Sequence, residues 1–333
     1  MRVLLTGATG FLGANLLRRL LERGDEVHCV IRKPNGNISG LGVPTHTVPL
    51  RDHPAEVEQL ARIMDGFDGV YHLAGTFDPA PGGEDRMMQL HVLATRGLLR
   101  AAEKAGVRRF VYCSSSITVA FGSKAAPGNE DQYLDAPSIY GKSGPLYAYF
   151  STKRQGEQIV MGWQGIEGIS VNPDYIIGPW DVKPTSGALI LQMAKHHVPF
   201  YPKGGKCFLG AIYCSDTDIA AMTIGRPHRQ YLLGHHNLSY REFMTMTAEV
   251  IGCKPPSMPL PSTAVNLASR FGRLAQRFDS HRFAGLDGSV LRAMQQERYR
   301  SGQRMCDELQ ITPRPLTESI EAAHQWFTDH GYC

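Results

Sequence analysis

Short apolar runs alternate with amphipathic segments through the first half of the chain. The first apolar run, residues 3–5, is of the buried-strand type, and residues 15–23 follow it with apolar positions at helical spacing. Further strands are predicted at residues 26–31, 45–50, 69–75, 109–113 and 168–172. Further helices are predicted at residues 55–64, 90–105 and 147–161. This alternation predicts an α/β fold with a Rossmann-type, doubly wound parallel sheet and helices on both of its faces.

The second half of the chain is less regular, and glycines and prolines interrupt it. Residues 173–179 predict a rigid turn, and the four prolines within residues 254–261 predict a linker. Ser239, with Glu242 three residues later, predicts a capping box at the start of a helix. Residues 264–278 place apolar side chains opposite arginines. This pattern predicts a basic amphipathic helix that packs on its own domain or, alternatively, lies on a membrane surface or covers a lipophilic substrate.

Three glycines lie between the first strand and the first helix, at three-residue spacing. A strand that turns tightly into a helix directs several backbone N–H groups and the positive end of the helix dipole at one point. Such a turn predicts a pyrophosphate site for a dinucleotide, with a plain glycine-rich turn as the alternative. The residues predicted to contact the cofactor here are Gly7, Thr9, Gly10, Phe11, Leu12 and Gly13.

Two cations follow the second predicted strand, at the position that reaches the adenosine ribose in a Rossmann fold. An acidic residue there would accept hydrogen bonds from the ribose hydroxyls of NAD. Arg32 and Lys33 would instead bind a 2′-phosphate through charge-assisted hydrogen bonds. The sequence therefore favours NADP over NAD, and the alternative interpretation is an exposed basic loop.

The segments after the fourth and fifth strands contain further candidate functional residues. Leu73, Ala74 and Gly75 form a small-residue turn against which a cofactor can lie, and serines 114–116 end the fifth strand. The segment after them, residues 125–145, is a long loop rich in glycine, proline and polar residues, and long loops are often functional. These segments all reach the carboxyl edge of the predicted sheet.

Tyr149 and Lys153 are four residues apart on a predicted helix, so both project from one face. Reduction of a carbonyl by hydride places negative charge on oxygen, which a proton donor must relieve. A nearby ammonium is expected to lower the pKa of a tyrosine, whose ordinary value is near ~10. We expect Tyr149 to exchange the proton, Lys153 to hold the nicotinamide ribose as well, and a serine to bind the substrate oxygen.

The composition narrows the choice of partners. The 35 basic and 31 acidic residues leave a net charge of +4 without a block of like charges, so nucleic acid is not an expected partner. The seven cysteines include no C-x-x-C pair, which predicts reduced thiols in a cytoplasmic protein rather than disulfides or a zinc site. No apolar run approaches the ~20 residues of a membrane helix, and no metal site is predicted.

These motifs resemble the extended short-chain dehydrogenase/reductases, also called the NAD-dependent epimerase/dehydratase family. The resemblance extends from the glycine turn through the motifs at residues 72–75, 110–115 and 149–153 to an ending at residues 308–316. Within the family the chain is most similar to dihydroflavonol reductases and 3β-hydroxysteroid dehydrogenases. The resemblance implies that Ser115 is the catalytic serine, with Ser116 as the second candidate.

The resemblance also implies the remaining cofactor contacts, at Leu50, Pro173 and Ile176. Two residues depart from the pattern. Pro49 stands where relatives usually have an aspartate that hydrogen-bonds adenine, and His91 stands where they usually have an asparagine near the active site. The first departure changes the adenine contact, and the second could shift the proton relay.

The sequence therefore predicts an NAD(P)-binding domain at residues 1–172, to which parts of residues 210–250 return. Residues 173–333 are predicted to form mainly a substrate-binding region. The leading hypothesis is an NADP-dependent oxidoreductase acting on a ketone or aldehyde, or on the corresponding alcohol, of a small-to-medium molecule, with a lipophilic substrate as one option. The alternatives are an NAD-dependent nucleotide-sugar epimerase and a non-enzymatic protein that senses the cofactor. A homodimer is compatible with the sequence.

Overall fold

A seven-stranded parallel sheet forms the centre of the protein. The computed structural model describes residues 1–261, 263, 265 and 292–333. Its strands are, in chain order, β1 (Arg2–Thr6), β2 (Glu26–Val30), β3 (Thr45–His46), β4 (Gly69–His72), β5 (Arg109–Cys113), β6 (Glu167–Asn172), β7 (Tyr175–Ile177), β8 (Phe200–Tyr201), β9 (Gly205–Gly210), β10 (Arg229–Leu232), β11 (His236–Ser239), β12 (Met258–Pro259) and β13 (Glu297–Arg298). The central sheet has the order β10-β6-β5-β4-β1-β2-β3, and every neighbouring pair is parallel. Because the order runs outward in both directions from β1, the predicted doubly wound fold is confirmed.

Helices cover both faces of this sheet. The α-helices are α1 (Phe11–Glu22), α2 (Pro54–Ile63), α3 (Gly83–Met88), α4 (Ala94–Lys104), α5 (Ala136–Tyr140), α6 (Pro145–Gly162), α7 (Ala188–Lys195), α8 (Ala211–Ile224), α9 (Tyr240–Ile251), α10 (Gln303–Leu309) and α11 (Leu316–Asp329). Leu16 of α1 and Ala221 of α8 belong to the buried cluster on one face. Leu60 of α2, Leu98 of α4 and Val160 of α6 belong to the cluster on the other face. This arrangement explains why Leu4 and Leu5 are both fully buried.

A second, smaller sheet lies after β6. It has the order β11-β9-β13, and β7 also pairs with β9. Phe208 of β9 stacks on Phe243 of α9 with ring centroids 4.0 Å apart, within a third buried cluster that includes Phe327 of α11. The predicted capping box is confirmed, because Ser239 and Glu242 exchange both hydrogen bonds at the start of α9.

Several element boundaries in the first half differ from the prediction, and two of them have a clear physical reason. The strand predicted at residues 45–50 ends at His46, and Pro49 lacks the backbone donor that a longer strand would need. The helix predicted at residues 90–105 begins earlier, with α3, and a π-helical turn at Gln89–Leu93 separates α3 from α4. Residue spacing alone does not reveal such a turn.

Three segments predicted as irregular contain regular structure. The turn at residues 173–179 contains β7, which pairs with β9, and the linker at residues 254–261 contains β12, which pairs with β8. The loop at residues 125–145 contains α5, whose first turn is capped by Asp135. The strand partners are distant in the chain, so local composition does not indicate them.

The amphipathic helix predicted at residues 264–278 lies outside the described residues. Among the residues that the structure describes, no helix is long and apolar enough to cross a bilayer.

Candidate active site

The glycine turn is shaped by close backbone packing. Gly7 has a φ of +83°, and a Cβ atom there would lie 2.6 Å from the carbonyl carbon of Leu73. A Cβ atom on Gly13 would lie 2.2 Å from the oxygen of Gly7. Gly10 is the N-cap of α1 and contributes no side-chain acceptor, so the first N–H groups of the helix are left for another acceptor. This geometry fits the pyrophosphate of a dinucleotide.

Two asparagines hold the glycine turn from the side. Asn35 and Asn37 both donate from Nδ2 to the oxygen of Thr9, at 2.9 and 3.2 Å. Asn37 also donates to the oxygen of Trp180, and the Arg18 guanidinium lies 3.3 Å from the centroid of that indole ring. Sequence reasoning missed these contacts because they join segments that are far apart in the chain.

Arg32 and Lys33 follow β2 after one intervening residue and are both exposed. Neither has an ion-pair partner within the described part of the chain. Pro49, where the resemblance leads one to expect an adenine contact, is also exposed. The segment after β2 therefore presents two exposed cations without an ion-pair partner among the described residues.

Ser115, Tyr149 and Lys153 are brought together by β5 and α6. Ser115 stands two residues after β5 in extended backbone and caps a 3₁₀ turn at Ser116–Thr118. Asn172, the last residue of β6, donates from Nδ2 to the Ser115 oxygen at 3.1 Å and so fixes the serine backbone. On α6, Lys153 donates from Nζ to the oxygen of Cys113 at 2.8 Å, which anchors its ammonium at the end of β5.

Burial controls the ionisation of this group. It raises the pKa of Tyr149 to about 12, and a hydrogen bond with Ser115 opposes that shift. Burial also lowers the pKa of Lys153, opposed by the nearby Cys113 and Glu157. The net shift of the Tyr149 pKa is thus upward, opposite to the direction expected from a nearby ammonium, because desolvation of the phenol is the largest effect.

His91 lies beside the same group, on the π-helical turn. Its Nε2 accepts a hydrogen bond from the Thr76 N–H at 3.1 Å, so its Nδ1 carries the proton and donates to Thr152 Oγ1 at 2.9 Å. The ring makes an edge contact with Tyr149, with centroids 5.7 Å apart. Burial lowers the pKa of His91 to about 2, so the ring is neutral. π-turns occur frequently at functional sites.

Gly75 lies close to these residues, and a side chain at this position would crowd them. A Cβ atom there would lie 3.0 Å from Lys153 Nζ and 3.5 Å from His91 Nε2. The preceding turn is held by a buried network in which Thr6 Oγ1 contacts His72 Nδ1 at 2.6 Å and accepts from the Ala74 N–H at 3.3 Å. The absence of a side chain at Gly75 suits the nicotinamide end of a dinucleotide.

The remaining predicted contacts follow from the strand order. Leu73 continues β4 and donates its N–H to the Thr6 oxygen at 3.1 Å, while the Pro173 oxygen, after β6, accepts from the Ser116 N–H at 2.9 Å. Ile176 lies in β7, and Leu50 accepts from Gln89 Nε2 at 3.3 Å. Because the strands are parallel, the residues that follow β1, β4, β5 and β6 meet at one edge of the sheet. The described residues contain no group of side chains arranged to hold a metal ion.

The doubly wound fold, with these residues at the carboxyl edge of its sheet, is that of a dinucleotide-dependent enzyme. Comparison with known proteins identifies the family. A sequence profile of the NAD dependent epimerase/dehydratase family matches residues 3–204. The chain belongs to this family, whose members bind NAD(P), and it is an oxidoreductase.

The relatives include the two kinds of enzyme that the motifs led us to expect, a dihydroflavonol reductase and a 3β-hydroxysteroid dehydrogenase. A putative dihydroflavonol 4-reductase from Synechocystis sp. is 29% identical over 342 residues, which cover 98% of this chain and 94% of that protein. A 3-beta-hydroxysteroid dehydrogenase from Mycolicibacterium neoaurum is 32% identical over 198 residues, which cover 54% of this chain and 49% of that protein.

Solved structures support the fold. The crystal structure of a nucleoside-diphosphate-sugar epimerase from Pseudomonas aeruginosa has a TM-score of 0.78 over 100% of this chain and 99% of that one, at 21% identity. At that identity the similarity shows the shared fold alone.

Proposed function

We propose that this enzyme reduces a ketone or aldehyde with NADPH, or oxidises the corresponding alcohol with NADP, on a small-to-medium substrate of lipophilic character. The observation that carries the proposal is the grouping of Ser115, Tyr149 and Lys153 at the carboxyl edge of the sheet, beside Gly75. The similarity to a putative dihydroflavonol 4-reductase and a 3-beta-hydroxysteroid dehydrogenase supports it.

Each of the three side chains has a distinct role in this proposal. The nicotinamide, when bound, supplies or accepts the hydride. Tyr149 keeps its proton at neutral pH because burial raises its pKa to about 12, so the phenol can donate that proton to the carbonyl oxygen. Lys153 holds a positive charge beside the phenolate that forms and binds the cofactor ribose. Ser115 donates a hydrogen bond to the same carbonyl oxygen.

The proposed cofactor is NADP, bound along the carboxyl edge of the central sheet. Arg32 and Lys33 bind the 2′-phosphate, and their exposure without ion-pair partners among the described residues supports this role. The proposed backbone and side-chain contacts to the rest of the cofactor are Gly7, Thr9, Gly10, Phe11, Leu12, Gly13, Leu50, Leu73, Ala74, Gly75, Tyr149, Lys153, Pro173 and Ile176.

The test is NADPH oxidation against a panel of ketones and aldehydes. Replacing Tyr149 by Phe removes the proton donor and is expected to lower kcat by about 10²–10⁴-fold, with little change in KM for NADPH. Tyr147→Phe is the matched control, because Tyr147 lies on the same helix two residues earlier. Full turnover by the Tyr149→Phe variant would refute the mechanism.

The second candidate is an NAD-dependent nucleotide-sugar epimerase, since the family includes epimerases by its own description. Such an enzyme uses the same kinds of side chain but oxidises and re-reduces one substrate without net consumption of cofactor. Purified enzyme that carries about one equivalent of NAD and changes a nucleotide sugar without added cofactor would favour this function.

We further propose that residues 1–172 bind the cofactor, with parts of 210–250 returning to that domain, and that residues 173–333 mainly bind the substrate. A cytoplasmic location is proposed because all seven cysteines are free. A homodimer is proposed as the oligomeric state, and light scattering of the purified protein tests it.

A further inference from the structure

The segment at β13 places two arginines on one face beside the candidate site. Arg298 and Arg300 are separated by one residue, and they are only 7% and 2% exposed. Tyr299, between them, exchanges backbone hydrogen bonds with Gly122, which joins this segment to the loop after β5. Both guanidinium groups lie over the ring of Phe121 in that loop, at 4.9 and 5.6 Å. The two cations are therefore largely shielded from water, and both lie against an aromatic ring.

The charges in this cluster do not balance. Asp174 accepts from Arg300 Nη1 at 2.5 Å and pairs with Lys206 Nζ at 2.9 Å. Arg298 has no ion-pair partner among the described residues and donates only to the amide oxygen of Gln296, at 2.9 Å from Nη2. Three cations thus face one carboxylate. In addition, the Nε of Arg300 is buried without a hydrogen-bond partner.

An uncompensated buried charge is costly, and a protein usually pairs it or neutralises it. Burial lowers the pKa of Arg298, but a guanidinium keeps its proton throughout the physiological range. An excess of two positive charges around the buried Arg298 and Arg300 is therefore best satisfied by a bound anion. Guanidinium groups suit this role because their fork matches the geometry of carboxylate and phosphate oxygens.

The cluster lies directly behind the turn that carries Ser115. Arg300 Nη2 donates to the oxygen of Ser116 at 2.9 Å, and Asp174 follows Pro173, whose oxygen accepts from the Ser116 N–H. Arg298 also lies 5.4 Å from the ring centroid of Tyr140, whose hydroxyl donates to the Ile117 oxygen. These contacts join the cluster to the turn on which Ser115 lies.

We propose that Arg298 and Lys206, with Arg300 holding Asp174 between them, bind an anionic group of the substrate, a carboxylate or a phosphate, at a distance from the reacting carbonyl. This inference rests on the proposed reductase function and narrows it to a carbonyl compound that also carries an anion. Arg298 is the principal ligand because its guanidinium has no carboxylate partner. Lys206 contributes a second positive charge.

The first test compares two aldehydes of similar size, 4-carboxybenzaldehyde and its neutral methyl ester. The wild-type enzyme is expected to prefer the anionic aldehyde in kcat/KM, and Arg298→Gln is expected to reduce that preference about tenfold or more. Arg298→Lys should retain part of the preference, and Arg241→Gln, an exposed arginine near Tyr201, should retain all of it. The same ratio in wild type and Arg298→Gln would overturn the proposal.

A second test measures binding without turnover. Benzoate, phenyl phosphate and neutral benzamide are titrated calorimetrically into each enzyme in the presence of excess NADP, so that the 2′-phosphate site is filled. The proposal predicts that benzoate or phenyl phosphate binds the wild type and Arg241→Gln at least tenfold more tightly than Arg298→Gln, while benzamide does not discriminate. The anion that binds identifies the chemical class, and equal binding of all probes by all variants refutes the subsite.

The two tests separate the failure of each claim. If neither aldehyde is reduced but the anions still bind through Arg298, the subsite stands and the reductase function fails. If both aldehydes are reduced equally well and no anion binds, the reductase function stands and the subsite fails. Should Arg298→Gln fail to fold by circular dichroism, Lys206→Gln replaces it, because the Lys206 side chain is 29% exposed and its loss leaves the Arg300–Asp174 pair intact.

Discussion

The carboxyl edge of the central sheet and the second sheet beside it bury their polar groups in opposite ways. At the edge, His72 and His91 are buried as neutral rings, held by threonine hydroxyls and a backbone N–H. Next to the second sheet, Asp174 and Arg300 are buried as charges, with Arg298 unpaired beside them. Neutral networks fix a geometry without needing a counter-ion, whereas buried charges require one. The contrast supports the proposals that the first region positions the reacting groups and that the second recognises a ligand.

The largest expected effect is the loss of stability when the buried ion pairs of the second region are broken. Asp174→Asn removes the carboxylate that Arg300 and Lys206 share, and leaves buried cations without a partner. We expect the free energy of unfolding to fall by about 4 kcal/mol, measured by urea denaturation. Glu26→Gln is the control, because it breaks an exposed ion pair with Arg2 and should change little. Equal effects of the two substitutions would contradict the assigned burial of charge.

The glycine turn should respond less strongly, and through packing rather than charge. Gly7→Ala adds a Cβ atom 2.6 Å from the Leu73 carbonyl carbon at a φ of +83°, so we expect a loss of about 3 kcal/mol. Gly24→Ala has nearly the same φ, +82°, but no atom within 4 Å of the added Cβ. It should cost about 1 kcal/mol from backbone strain alone. If the two variants lose the same free energy of unfolding, close packing is not the reason why glycine is required at position 7.

The neutral histidines predict a pH dependence. Burial lowers the pKa of His72 to about 3 and that of His91 to about 2, both from 6.5. Below pH 6.5 the unfolded chain binds protons that the folded protein does not, so stability falls as the pH falls. At pH 5 the loss is about 2 kcal/mol for each histidine.

Urea denaturation at pH 7 and pH 5 measures this loss. His91→Asn should lose about 2 kcal/mol less than the wild type between the two pH values, whereas His196→Asn, at an exposed position, should match the wild type. A variant His91→Asn with the full wild-type pH dependence would show that the ring is charged in the folded protein.

The smallest effect is expected on the exposed cations. Replacing Arg32 and Lys33 together by Ala should raise KM for NADPH about tenfold or more and leave KM for NADH nearly unchanged. Arg62 and Lys104 are also exposed, on α2 and α4, and their double substitution serves as the control. Equal increases for both cofactors would refute the preference for NADP and would move the cofactor assignment to NAD.

The two regions also differ in how far the sequence predicted them. Residues 3–5 and Gly7 predicted β1 and its turn because strand, turn and helix follow one another locally. The pairing of β7 with β9 and the π-helical turn around His91 depend on distant packing, which residue spacing does not record. Arg300 meets Asp174 across 126 positions, so no local motif could have indicated the charged cluster.

The most direct test of the proposed function is the cofactor balance during turnover. The enzyme is purified, its bound nucleotide is released and quantified, and NADPH consumption is compared with alcohol formed from an anionic aldehyde or ketone. We predict a protein that uses free NADPH and forms one alcohol for each NADPH oxidised. A protein that retains tightly bound NAD, converts a nucleotide sugar and consumes no NADPH would contradict the account.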